Sequence, residues 1–351
     1  MPGRLDIVAI CCWGNDVRTA RDVGLCRIYQ RINGFDFHLR SFDARIGIAG
    51  VKRMRTIALA FVVVFVSASG AFAHVEPHGE QAVWTFDPWV ITPLLTFGLL
   101  YAFGGLLLWL RTRTTRHARG WHALAFVGGW LTLVGALVSP LHWLGERLFS
   151  FHMIEHEILM AVSAPLLVLA RPIGTLLWSL PRRIRVAVGR LLSRPTINFV
   201  WQWLSAGRNA TLIHGIAIWA WHAPVLFDSA VTNITTHRLQ HLGFLLTAVI
   251  FWWSVLRRSN PGLAAWHLFI TMLHTSVLGA LMALAPRLLY APQTGTAAAW
   301  GLTPLEDQQL AGIIMWIPAG TVYAGAALVL TTLWIRQASE TGRRSDAVRA
   351  L

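Results

Sequence analysis

The sequence predicts an all-α protein, a polytopic membrane helix bundle with seven transmembrane helices. Its 351 residues are 55% hydrophobic and only 13% charged, whereas a soluble domain carries about 25% charged residues. This deficit indicates a chain that is surrounded mostly by lipid. Apolar runs near the roughly 20 residues that a helix needs to cross a bilayer recur seven times. The predicted spans are 89–110, 121–141, 148–170, 209–227, 239–256, 263–285 and 310–335.

The segment ahead of these spans has the pattern of a secretory signal peptide. Residues 54–73 contain a basic start, a short apolar run and a final Ala-Phe-Ala sequence, which is the order that signal peptides follow. Because signal peptides begin at the initiator, we expect translation to start at Met54, with residues 1–53 as a doubtful upstream extension. A genuine cytoplasmic arm is the alternative. Cleavage would make His74 the first mature residue and 74–88 a periplasmic N-terminal segment.

The arginines predict the orientation of the spans. From residue 74 onward the chain has 20 arginines and no lysine. With the mature N-terminus outside, 17 of these arginines fall in cytoplasmic segments, as the positive-inside rule requires. We therefore expect a bacterial inner (cytoplasmic) membrane protein with a seven-helix domain at 89–336 and a cytoplasmic tail at 337–351. The inner loop 171–208 contains PRRIRVAVGRLL, which predicts an amphipathic helix on the membrane surface.

Composition also limits the function classes. The net charge of +14 does not indicate nucleic acid as a partner, because the arginines lie in short loops between apolar runs. The three cysteines all precede residue 54, so no thiolate metal site or disulfide is available after it. We find no pairing of nucleophile and base and no glycine-rich phosphate loop, and we do not expect an enzyme. The cysteines are Cys11, Cys12 and Cys26.

Histidines gather on the predicted outer face. His152 and His156 in the third span are four residues apart and share a helical face, and His237 and His241 repeat this spacing in the fifth span. Two such pairs can supply up to four imidazoles to one metal. An ionisable group inside a span, such as Glu155, marks a functional site by default. Further outer-face histidines are His142 and His222, and Met160 continues the stripe of the third span.

The donor types favour copper. Imidazole suits copper, zinc, iron and nickel, and thioether sulfur selects cuprous copper, so a His/Met set without thiolate indicates copper. Zinc remains an alternative if Glu155 or Glu157 joins the set. A b-type haem held by one histidine of each pair is a second alternative. For His214, His267 and His274 the sequence favours interhelical hydrogen bonds.

Four motifs resemble a known family. HMIEHEILMAVSAPLLVL, WHAP, HRLQHLGFLLTAVIFWW and PLEDQQLAGIIMWIPAG are similar, in this order, to the seven-span CtaG family of cytochrome c oxidase assembly factors of the caa3 type, over about residues 85–335. The family often has Gln at the position of Glu155 and Glu at the position of Gln240, so the carboxylate has changed helices here. The metal site that the resemblance implies is His152, Met153, His156, His237 and His241, with Asp307 at an outer mouth.

The resemblance implies a membrane assembly factor that binds copper on the periplasmic side and helps to build a haem-copper oxidase. Its expected partners are terminal oxidase subunits, a periplasmic copper donor and the lipid bilayer. A haem b redox protein is the alternative, and a copper transporter is less favoured because the inner halves of the spans offer only His214 and His267. We expect Glu306 and Asp307 either to attract cations or to cap their helix. The accessory candidates are Glu155, Met160, His222, Glu306, Asp307 and His74.

Overall fold

A computed structural model describes residues 83–111 and 116–349, and every regular element in these residues is helical. The predicted signal peptide, the upstream extension and His74 lie outside the described residues. The α-helices are α1 (Pro88–Arg111), α2 (Arg116–Leu137), α3 (Pro140–Gly145), α4 (Phe149–Glu157), α5 (Ala164–Ala170), α6 (Pro172–Ser179), α7 (Arg182–Leu192), α8 (Pro195–Leu204), α9 (Gly207–Trp221), α10 (Pro224–Thr232), α11 (Ile234–Trp253), α12 (Pro261–Ala283), α13 (Ala291–Thr294) and α14 (Pro304–Arg349). Two π-helical segments, Ile158–Ser163 and Ser254–Arg258, and a 3₁₀ turn, Ala297–Trp300, complete them.

Six stretches in the described residues are long and apolar enough to cross a membrane, and a bent pair makes up to seven. The bent pair is α9 with α10, which meet at 69° where the sequence predicts the fourth span. The all-helical fold and a set of six to seven spans are therefore found, which is consistent with a multi-pass membrane protein. The six stretches are Pro88–Leu110, Gly120–Leu137, Phe149–Ala170, Ile234–Arg258, Pro261–Ala283 and Pro304–Glu340.

The surface of these stretches is apolar, as contact with lipid requires. Trp89, Val225 and Leu328 expose 75%, 83% and 69% of their surface. Large apolar side chains are exposed on several of the helices. Large contiguous apolar patches of this kind are rare on soluble monomers.

The second span ends earlier in the structure than the sequence predicts. Helix α2 ends at Leu137 rather than continuing to residue 141. Ser139 then caps a new short helix, α3, by accepting a hydrogen bond from the backbone N–H of Leu141 at 3.2 Å. Pro140 at the first position of α3 fits there because its missing N–H has no partner in the first turn. His142 therefore lies on a separate helix outside the spans.

The described residues form two compact units. The smaller unit comprises 96–111 and 173–203, and within it Gly104 of α1 approaches Thr175 of α6. A Cβ atom at Gly104 would lie 1.9 Å from the backbone oxygen of Thr175, so only glycine allows this approach. The predicted amphipathic helix is present as α7, in which no residue is buried.

The larger unit comprises 83–95, 116–172 and 204–349. Within it α12 and α14 pack backbone to backbone at two glycines. A Cβ at Gly312 would lie 2.4 Å from the backbone nitrogen of Ala283, and one at Gly279 would lie 2.8 Å from that of Trp316. Small residues at a helix crossing permit such close packing in membranes. The start of α14 lies beside the start of α4.

Candidate metal centre

Six histidine rings gather in the larger unit, near the starts of α4 and α11. The ring centroids of His152 and His156 are 4.3 Å apart, and those of His237 and His241 are 4.4 Å apart. The two pairs face each other, since the centroids of His152 and His237 are separated by 5.3 Å. The sequence-predicted pairs are thus brought together. The other two rings belong to His142 and His222.

Four side chains in this cluster form a group with metal-binding spacing. His152, Glu155, His237 and His241 each offer one ligand atom, and these four atoms all lie within 4.8 Å of one another. We call this group the tetrad. Its members come from only two helices, because residues three and four apart share one helical face. Three of them are buried and His237 is partly exposed.

The tetrad has buried atoms that lack hydrogen-bond partners. Both ring nitrogens of His152, Oε2 of Glu155, and Nε2 of His237 and of His241 are buried without a partner. Buried polar atoms are normally satisfied, and leaving one unsatisfied costs about 1–3 kcal/mol. All of these atoms except the protonated ring nitrogens carry a free lone pair, so one metal ion would satisfy several of them together. Three imidazoles and a carboxylate fit copper or zinc.

Glu155 is held in the tetrad from two sides. One carboxylate oxygen, Oε1, lies 3.0 Å from Nδ1 of His142. The other, Oε2, lies 3.9 Å from Nδ1 of His152 and 3.8 Å from Nε2 of His241. A Cβ added to Gly145 would lie 2.8 Å from the carboxylate carbon, so the carboxylate rests on the backbone of that glycine. A hydrogen-bonded carboxylate is a common support for metal ligands.

His142 is the residue that sequence reasoning left out of the site. It joins the buried Glu155 to the exposed Glu146, whose Oε1 lies 3.8 Å from Nε2 of His142. Burial disfavours the imidazolium, but the hydrogen bond and charge of Glu155, with the charges of Glu146 and Asp87, outweigh it and raise the pKa of His142 above its ordinary value. The one signal for His142 in the sequence is its place on the predicted outer face. No second histidine stands four residues away from it to suggest a shared site.

Both of the predicted methionine ligands are buried. Met153 and Met160 are both part of the buried apolar core of the unit. Met153 follows His152 directly, so its side chain leaves the helix about 100° away. Glu157, two residues beyond Glu155, is not a member of the tetrad. Met160 lies in the π-helical segment, and its backbone oxygen accepts a hydrogen bond from Trp252 Nε1 at 2.9 Å.

Asp307 does not line an open outer mouth. It is completely buried, and its carboxylate accepts hydrogen bonds from the backbone N–H groups of Phe149 at 2.7 Å and Ser150 at 3.0 Å. It therefore caps α4, the helix that carries His152. The cap residue of that helix, Leu148, offers no side-chain hydrogen bond of its own.

Glu306 also has a capping role. Its carboxylate accepts from the backbone N–H of Thr303 at 2.7 Å, and the Thr303 hydroxyl accepts from the backbone N–H of Glu306 at 3.2 Å. This reciprocal pair is a capping box for α14. Glu306 thus caps its own helix, whereas Asp307 caps α4.

Two further predicted residues, His156 and His222, lie next to the tetrad but outside it. The His156 ring is 5.2 Å from that of His241 and 5.9 Å from that of His222. The loop after α12 fixes His222, because the Tyr290 hydroxyl donates to the His222 backbone oxygen at 2.6 Å. Burial, together with the charge of Asp228, raises the pKa of Tyr290 to about 12, so this phenol stays a donor.

Known proteins and protein families were compared with this chain, and one family matches the part that contains the tetrad. The family model described as "Cytochrome c oxidase caa3 assembly factor (Caa3_CtaG)" matches residues 99–337. The chain is 25% identical over 289 residues to the uncharacterized protein ML1998 of Mycobacterium leprae (strain TN). It is 26% identical over 286 residues to the uncharacterized protein Mb0105 of Mycobacterium bovis (strain ATCC BAA-935 / AF2122/97). Each match covers 75% of this chain but only 41% of the relative. No solved structure matches.

The family match covers more than half of the chain and includes all four members of the tetrad. This chain therefore belongs to the family of cytochrome c oxidase caa3 assembly factors.

Proposed function

We propose that this chain is a membrane assembly factor that binds copper at the tetrad, on the periplasmic side, and helps to form a metal centre of a haem-copper cytochrome c oxidase. The observation that carries the proposal is the set of buried, unpartnered ligand atoms within 4.8 Å of one another. The partners that this role requires are oxidase subunits in the same membrane and a periplasmic copper donor. The family supports a role in assembly.

Two arguments favour copper over other metals: the set of donor atoms in the tetrad, and the haem-copper oxidase that the family helps to assemble. Sites built from nitrogen and oxygen bind divalent copper more tightly than the other divalent first-row ions. The tetrad offers no thiolate, and neutral imidazole is the ligating form. Zinc is the competing ion, because three imidazoles and a carboxylate also suit it.

The packing of the tetrad argues against a b-type haem at this place. A haem held by one histidine of each pair needs its flat macrocycle between the two axial rings. The centroids of His152 and His237 are 5.3 Å apart, and Glu155 and His241 occupy the space beside them. An absorption spectrum of the purified protein without a Soret band would agree with this reasoning.

The chain's own residues provide an entry for the metal. His237 is partly exposed, and His142 connects the exposed Glu146 with Glu155 through two contacts of 3.8 and 3.0 Å. A cation that arrives at the rim therefore meets carboxylate and imidazole groups in succession. Such a sequence of ligands lowers the cost of removing the ion from water.

The test is copper binding by the purified full chain, measured by competition with a copper chelator. We expect His152→Ala and His237→Ala each to weaken binding by at least about 10- to 100-fold, since even supporting residues of a metal site have effects of this size. Because the two residues share one site, the double substitution is expected to cost less than the sum of the single losses. Oxidase activity in cells that carry each variant is measured in parallel.

The control for this test is His267→Ala. His267 hydrogen-bonds Thr211 at 3.0 Å and takes no part in the tetrad, so copper binding is expected to persist. Normal copper binding by His152→Ala and His237→Ala together with failed oxidase assembly would make the histidines a packing or docking device. If both copper binding and oxidase activity persist, the proposal is wrong.

A further inference from the structure

Two histidines beside the tetrad have buried nitrogens that no hydrogen bond satisfies. Both ring nitrogens of His156 and Nε2 of His222 are buried without a partner. Both side chains are almost completely buried, with 1% and 2% exposure. Their ring centroids are 5.9 Å apart and the rings are nearly perpendicular, at 83°. Neither residue is a member of the tetrad, so the tetrad does not account for these free nitrogens.

The orientation of His222 is fixed in the way that metal-ligating histidines are fixed. Its Nδ1 lies 2.7 Å from the backbone oxygen of Ile218. A backbone carbonyl only accepts hydrogen bonds, so Nδ1 must carry the proton and Nε2 must carry the lone pair. Metal-binding histidines commonly use this arrangement, which fixes the tautomer and the ring orientation. The Tyr290 hydroxyl holds the backbone of the same residue.

The walls around this pair are aromatic. The ring of Phe244 lies 4.6 Å from that of His156 and 5.6 Å from that of His222. The ring of Phe227 lies 6.2 Å from that of His222. Among the described residues, no carboxylate forms an ion pair with either histidine. The tetrad, by contrast, contains Glu155.

We propose that His156 and His222 form a second copper position, adjacent to the tetrad and specific for the cuprous ion. This inference rests on the proposed function. A divalent ion would need a compensating negative charge, and the ion pairs of Glu155 go to His142, His152 and His241 rather than to this pair. The cuprous ion has a filled d shell and a single charge, and two neutral imidazoles on opposite sides satisfy it.

The two positions adjoin each other through shared neighbours. The His156 ring lies 4.3 Å from that of His152 and 5.2 Å from that of His241. Both of these residues belong to the tetrad. The chain thus offers a site with a carboxylate next to a site of imidazoles alone, and we expect a cuprous ion at each of them under reducing conditions.

The test is a titration of the purified full chain with cuprous copper under reducing, anaerobic conditions, against a competing cuprous chelator. We expect two equivalents for the unsubstituted protein and one for His222→Phe, which retains the aromatic volume of the pocket. X-ray absorption of the tetrad variant His237→Ala, loaded with one equivalent, is expected to show two-coordinate cuprous copper. Zinc serves as the divalent control, and one equivalent is expected for both the unsubstituted protein and His222→Phe.

Folding is monitored by thermal unfolding, and His222→Gln provides a second variant if His222→Phe does not fold. The inference is overturned if the unsubstituted protein binds one equivalent of cuprous copper, or if both His222 variants still bind two. In either case the proposed function stands, provided that His237→Ala weakens copper binding. If no copper binds at all, or if His237→Ala binds copper as the unsubstituted protein does, the proposed function itself fails.

Discussion

The position of Glu155 depends on the absence of a side chain at Gly145. The carboxylate lies against this glycine, and a Cβ there would come within 2.8 Å of its carbon and of Oε1 and within 2.9 Å of Oε2. Contacts this short do not occur, so the carboxylate would have to move. The backbone oxygen of Gly145 also accepts a hydrogen bond from Gln293 Nε2 at 2.8 Å, which holds the glycine in place. The charge in the tetrad is thus positioned by a residue that has no metal-binding atom of its own.

We expect Gly145→Ala to weaken copper binding by about 10-fold or more while every ligand remains. The added methyl group displaces the Glu155 carboxylate, and overpacking of this kind costs about 1–3 kcal/mol. The measurement is the chelator competition described above, with thermal unfolding alongside. Gly135→Ala is the matched control, because a Cβ at Gly135 has no neighbour within 4 Å. Equal affinities for the two variants would show that the carboxylate does not contribute to binding.

Residue types and spacing predicted the two histidine pairs, because an i,i+4 repeat on a helix needs no knowledge of the tertiary structure. The same reasoning could not find His142, which reaches Glu155 from a different helix at 3.0 Å. Gly145 is equally hidden in the sequence, since its role is to leave space. The resemblance placed Asp307 at an outer mouth, but a carboxylate that is buried against backbone N–H groups cannot be told from an exposed one by its residue type.

The helix that carries His152 and Glu155 receives its N-terminal cap from another helix. Leu148 at its own cap position provides no side-chain hydrogen bond. Asp307 at the start of α14 accepts from the first two N–H groups instead, at 2.7 and 3.0 Å. The negative charge also lies at the positive end of the helix dipole. The register between α4 and α14 therefore controls where the tetrad ligands of α4 lie.

We expect Asp307→Asn to lower the free energy of unfolding by about 2 kcal/mol, because hydrogen bonds to a charged group contribute roughly 1.5–3 kcal/mol. The amide accepts from one N–H but presents its own N–H to the other. Copper affinity is expected to fall together with stability, because α4 carries His152 and Glu155 and can shift once its cap is weakened. The readouts are thermal unfolding and copper competition at a temperature where the variant is folded.

The neighbouring Glu306→Gln variant is the control for Asp307→Asn. Glu306 is exposed and hydrogen-bonds Thr303 at the start of its own helix, a role that Gln can also fill, so a change of less than about 0.5 kcal/mol is expected. An Asp307→Asn protein that is less stable but binds copper with unchanged affinity would limit Asp307 to a structural role.

The existence of the helices followed from the length of the apolar runs, but their breaks did not. The 69° bend between α9 and α10 places His222, the histidine of the WHAP motif, at the joint. The π-helical segment Ile158–Ser163 follows the ligands of α4 directly, and such segments are frequent at functional sites. The bend falls at Pro224, the first residue of α10, and a proline interrupts the hydrogen bonding of a helix without lowering its hydropathy enough to end a predicted span.

At the scale of the whole molecule, the orientation of the chain decides which compartment the tetrad faces. The tetrad lies near the starts of α4 and α11, the same membrane side as the loop between α12 and α14 in the predicted topology. The arginine distribution predicts that this side is periplasmic. A copper centre that takes its metal from a periplasmic donor requires this orientation, so the proposed function and the topology are tested together.

The orientation can be measured by labelling single cysteines, because residues 54–351 contain none. We expect Ala298→Cys, an exposed position in the loop between α12 and α14, to react with a membrane-impermeant maleimide in intact spheroplasts. Ser193→Cys, exposed after α7, is expected to react only after permeabilisation. The unsubstituted chain is the control, and it is expected to stay unlabelled if residues 1–73, which hold all three native cysteines, are absent from the mature protein. The reverse labelling pattern would place the tetrad on the cytoplasmic side. A periplasmic donor would then have no access to it, and the copper for His152 and His237 would have to come from the cytoplasm.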